Sequence, residues 1–154
     1  MTRIFTTIEI RQPIEPVYDF VTTAGNWPRW HPASLGVTGA TDHSGQPGEQ
    51  ITEDFLVAGR RGRVVWTVRE RDAPCRWVIE GIIQGQDSGG TITYALSERE
   101  QGTFFEREFI YPTRGLWLAL LDGLVIRRRI EAESSEALRR LKQLLESASK
   151  AQVG

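Results

Sequence analysis

Cysteine is almost absent. Cys75 is the single one in 154 residues. No internal disulfide can form, and the fold needs no oxidising compartment. Histidine is nearly as scarce, with only His31 and His43. Two histidines and one cysteine without ligand-like spacing argue against zinc, so no metal site is expected. Neither sign of charge is in excess: the net charge is -1. That leaves no electrostatic case for nucleic acid or an anionic membrane surface as a partner. Long apolar runs are missing too. The longest, Gly115 to Ile126, is broken by Asp122 and is too short to span a bilayer. The opening MTRIFTTIEI alternates polar and apolar residues and lacks the continuous core of a signal peptide. The expected setting is the cytoplasm, with no membrane span. Gly85, Gly89 and Gly90 are not followed by Gly-Lys-Ser/Thr, which excludes a phosphate loop. No cofactor is expected.

What is present suits a packed core: 40% of residues are hydrophobic and 25% charged. The length fits one domain, read as residues 1–149 with a disordered tail at 150–154. Ile4, Thr6, Ile8 and Ile10 share one face of an opening strand, Arg3 to Arg11. Pro16 suits the first turn of a helix over Ile14 to Thr23. A second helical turn is expected at Asn26 to Trp30, stopped by Pro32. Six strands follow: Leu35 to Thr41, Glu49 to Val57, Arg63 to Arg71, Arg76 to Ile83, Gly90 to Ser97 and Thr103 to Tyr111. The turns between them are too short for crossovers, so the pairing should be antiparallel. The last element is a helix over Gly115 to Ser147, roughly 50 Å long at ~1.5 Å per residue. Its apolar stripe includes Leu116, Leu120, Ile130, Ser134, Leu138 and Leu141. Arg127, Arg128 and Arg129 are balanced by Glu131 and Glu133, as on a solvated helix face.

The order strand, two short helices, six strands, long helix resembles the START-like (SRPBCC) superfamily, in particular its polyketide cyclase/dehydrase-like branch. The residues that carry the resemblance are Pro13 to Val21 after the opening strand and the aromatic turn Trp27-Pro28-Arg29-Trp30-His31-Pro32. Arg63 to Asp72 with Ala73-Pro74 and Arg76-Trp77, Gly102-Thr103, and the leucine-spaced terminal helix complete it. The resemblance implies an α+β helix-grip (START-like, Bet v 1-like) fold. In that fold a seven-stranded curved antiparallel sheet surrounds a long C-terminal helix, with two short helices after strand 1. It also implies a ligand held between sheet and helix. It does not fix the activity, because this superfamily hosts cyclases, lipid carriers, receptors and chaperone cofactors.

Strand parity places Phe55, Trp66, Tyr94, Phe105 and Phe109 on the inner face, where each either packs the core or lines a pocket. With Trp30, Leu116 and Leu120 they are the candidate ligand-binding wall. On the last strand Arg107 shares the inward face, because the alternative would bury Glu106 and Glu108. A buried charge needs a partner, and Glu53, in register with Ile51 and Phe55, is the candidate. The pair is either a structural ion pair or a polar anchor for a ligand. His31 is a candidate general acid, or else an exposed or half-buried loop histidine. Cys75 has no histidine near it in sequence and is not read as a nucleophile.

These features point first to a binder or carrier of an apolar or aromatic small molecule. A polyketide cyclase or dehydratase acting in the same cavity is the alternative; Glu53, Arg107, Tyr94 and His31 are its acid–base candidates, although they form no recognisable catalytic motif. A regulatory interaction module is the third reading. Gly115 to Val125 is apolar nearly all round, which marks it as a gate of the pocket or a homodimer contact.

Overall fold

The computed structural model describes residues 1–57, 59–87, 89–112 and 123–153. Strand β1 is Thr2–Ile10, and its alternating pattern buries Ile4 and Ile10. Helix α1 covers Ile14–Thr22 and buries Ile14, Val17, Tyr18 and Val21 along one side. A 3-10 turn, Ala24–Asn26, leads into a one-turn helix α2, Trp27–Trp30. Then come β2 (Ser34–Gly39), β3 (Gln50–Val57), β4 (Arg60–Asp72), β5 (Arg76–Ile83), β6 (Gly89–Arg99) and β7 (Gly102–Tyr111). The terminal helix α3 is described from Gly123 to Val153.

The seven strands form one curved antiparallel sheet in the order β1-β7-β6-β5-β4-β3-β2. From β2 to β7 every neighbour in sequence is a neighbour in space, as the short turns require. The long α1–α2 excursion lets β1 close the sheet against β7 instead of β2. On β4 and β7 the residues fall on the faces that alternation predicts: Val64, Trp66 and Val68 are buried, as are Thr103, Phe105 and Arg107.

Helix α3 covers the concave face. Ser134, Ala137, Leu138 and Leu141 are buried along its inner stripe. Its C-terminal half is tied to the end of β1: Lys142 Nζ donates to the Glu9 carbonyl at 2.7 Å, and Gln12 Nε2 to the Leu145 carbonyl at 2.9 Å. The helix does not stop at Ser147 but continues to Val153, since no proline or glycine interrupts it before Gly154. That carries helix into the stretch expected to be a tail. The expected helix start at Gly115, and with it Leu116 and Leu120, lies outside the described residues. No described helix is long and apolar enough to cross a membrane.

Candidate functional site

Large rings fill one end of the grip. Trp77 stacks obliquely on Tyr94 with centroids 5.4 Å apart, Phe105 meets Tyr94 edge-on at 5.1 Å, and Trp27 meets Trp77 edge-on at 6.1 Å. Most of their polar atoms are satisfied locally. Trp27 Nε1 donates to the Val21 carbonyl and Trp77 Nε1 to the Gly45 carbonyl, both at 3.0 Å. This end is a solid core.

Beyond it the sheet and α3 enclose a cavity of about 200 Å³. A single water needs only ~10–15 Å³ of such space, so the cavity has room for a small molecule. Phe55, Trp66, Ile92 and Phe109 line its sheet side, and Ile130, Glu133 and Ser134 its helix side. The space persists because two of these rings lie flat. Phe55 pairs directly across the ladder with Gly62, and Trp66 with Gly81. A Cβ on Gly81 would stand 2.6 Å from Trp66 Cε3, and one on Gly62 would overlap the Phe55 ring. Each ring lies in the gap left by a missing side chain instead of standing up toward the helix.

Polar side chains from both sheet and helix break the apolar wall. Arg107 is 6% exposed, and its Nη1 donates to Ser134 Oγ at 3.3 Å. Its guanidinium lies 5.9 Å from the centroid of the Phe109 ring. Glu53 Oε1 accepts the Trp66 indole N–H at 3.0 Å. Burial pushes the Glu53 carboxyl above the usual carboxylate range, partly offset by the Trp66 bond and the charge on Arg107. Tyr94, directly across the ladder from Arg107, is pushed up to about 12 by burial. His31 Nδ1 accepts the Ala33 backbone N–H at 3.1 Å. Burial and the charges on Arg107 and Arg140 hold its ring well below the usual histidine range, so it is neutral at pH 7.

Of the residues expected in the wall, Trp30, Glu53, Phe55, Trp66, Tyr94, Arg107 and Phe109 line the cavity. Phe105 does not. It is fully buried under the Tyr94 ring, one layer into the solid end. Leu116 and Leu120 lie outside the described residues. Arg107 and Glu53 both face inward but form no direct ion pair: each is engaged elsewhere, Arg107 by Ser134 and Glu53 by Trp66. His31 is half-buried, one of the settings expected for it, and the turn after α2 sets its ring in the wall. Sequence reading passed over Glu133 and the flat-lying rings. The signal for the rings was a glycine on the inward parity of the next strand.

Residues 1–146 match the family described as polyketide cyclase/dehydrase and lipid transport. Penitrem biosynthesis cluster 1 protein I of Penicillium ochrochloron is 40% identical over 65 residues, which is 41% of this chain and 42% of that protein. The matched stretch is therefore under half of the relative. A START superfamily protein from Mycobacterium smegmatis superposes with a TM-score of 0.68 at 14% identity, covering 95% of this chain and 98% of that one. DynU16, a protein of the dynemicin biosynthetic locus, superposes with a TM-score of 0.68 at 14% identity, covering 95% of this chain and 48% of that one. These two likenesses establish the START-like, helix-grip fold and leave the chemistry to the site.

Proposed function

We propose that this chain, which belongs to the polyketide cyclase/dehydrase and lipid transport family, binds an apolar or aromatic small molecule between its sheet and its C-terminal helix, in the cytoplasm. One observation carries the reading: a cavity of about 200 Å³ whose wall is mostly apolar, kept open by rings laid flat over glycines. A chain selected only for stability would fill that space, because empty volume costs packing energy. The test is native mass spectrometry of the purified protein together with titration by the neutral fluorophore N-phenyl-1-naphthylamine. A co-purified adduct or saturable fluorescence enhancement supports the proposal. Neither, at any accessible concentration, would sink it.

A cyclase-type reaction in the same cavity is the second reading, favoured by Glu53. A carboxyl held toward its protonated form in an apolar wall can give a proton to a ligand carbonyl. The readings part on whether a recovered ligand changes in mass or retention when returned to the apo-protein. A homodimer through Gly115 to Val125 remains part of the proposal. Its described end, Leu124 and Val125, is 57% and 59% exposed, and light scattering across a concentration series tests it.

A further inference from the structure

The polar groups of the cavity are unbalanced in kind. Arg107 Nε, His31 Nε2 and Trp30 Nε1 are all buried, and none has a hydrogen-bond partner. All three residues line the same cavity. Because His31 Nδ1 already accepts the Ala33 N–H, the proton of the neutral ring sits on Nε2. Guanidinium and indole nitrogens cannot accept. The three orphaned groups are therefore all donors. Trp27 and Trp77 differ in this respect: their indoles, also buried, each have a backbone carbonyl. Buried donors without acceptors are rare in native proteins and costly. Here they gather beside a cavity in which something else can fit.

Charge narrows the choice. Arg107 is a buried cation held by the neutral hydroxyls of Ser134 and Tyr94 and by the Phe109 ring face. Glu53, which faces it across the cavity, is engaged by Trp66. Glu133 also lines the cavity, on the helix side, and is already partnered.

Resting on the small-molecule reading above, we infer that the natural ligand bears a carboxylate at one end. Its oxygens accept from Arg107 Nε and His31 Nε2, and its apolar body lies along Trp66, Ile92 and Phe109. Charge-assisted bonds of this kind are about twice as strong as neutral ones, which favours an anionic over a neutral acceptor.

The test compares 2-naphthoate with its neutral isostere 2-naphthamide by calorimetry at pH 7, beside N-phenyl-1-naphthylamine. The acid should bind about tenfold tighter than the amide, the scale of one charge-assisted hydrogen bond. In Arg107→Met that ratio should fall to near one, and in His31→Phe it should shrink. Amide binding equal to or tighter than acid binding in the wild type overturns the inference and leaves apolar binding standing, with no variant needed. An acid preference that persists in Arg107→Met overturns Arg107 as the seat. No binding of any of the three compounds removes both readings.

Discussion

Trp66 on β4 donates its indole N–H to Glu53 Oε1 on β3 at 3.0 Å. The carboxylate that parity sets opposite Arg107 is thus tied off by a ring on the adjacent strand, and Arg107 turns to Ser134 on α3. The polar end of the cavity is two separate anchors, one within the sheet and one joining sheet to helix.

Trp66→Phe keeps a flat ring and removes the donor. The buried carboxyl then loses that donor, at a cost of ~1–3 kcal/mol. Urea unfolding at pH 7 should show a loss of that size. An unchanged midpoint would mean that solvent already serves Glu53.

The Glu53 carboxyl is raised in the fold, chiefly by burial. The native state therefore holds its proton to higher pH than the unfolded chain does. Stability contributed here is present at low pH. It declines as pH rises from the ordinary glutamate range toward the raised native value. Glu53→Gln removes the titration, so its melting temperature should exceed the wild type's at pH 8, with the gain shrinking toward pH 4. A lower melting temperature at pH 8 would show that the Glu53 charge stabilises the fold through Arg107.

For His31 the sign is opposite. Burial and two neighbouring arginines depress it, so the native ring stays neutral while the unfolded ring takes a proton near ~6.5. The stability it contributes is present above that value and is lost as pH falls below it. His43 is raised by Asp42 and Glu49 on the surface and acts in the other direction, so the variant must be compared with wild type. His31→Phe should lose less stability than wild type between pH 7 and 5; parallel curves would place the ring in water.

Gly81→Ala should push Trp66 off the sheet into the cavity. Overpacking of this kind costs ~1–3 kcal/mol. N-phenyl-1-naphthylamine should bind more weakly as the space shrinks. Unchanged stability and affinity would show that the ring does not depend on that glycine.

The strand series, its antiparallel pairing and the inward set on β7 were legible in the sequence alone. Alternation at period two is a local property, and two glutamates against one arginine decide which face of β7 is wet. The strand ends were within three residues of those expected, because Gly and Pro punctuate the turns. Which inward residues meet the cavity was not local. Phe105 and Phe109 have the same parity four residues apart, yet only Phe109 lines the space. What separates them is the stack of Tyr94 on Phe105, a contact between strands. His31 follows the same rule. Its neighbour Trp30 lies against its ring, but nothing beside it in sequence places that ring under the field of Arg107, 76 positions later in the chain numbering. The pairing of Glu53 with Trp66 in place of Arg107 depended on side-chain reach across a curved sheet. Periodicity assigns a side chain to a face, but only packing in three dimensions selects its partner on that face.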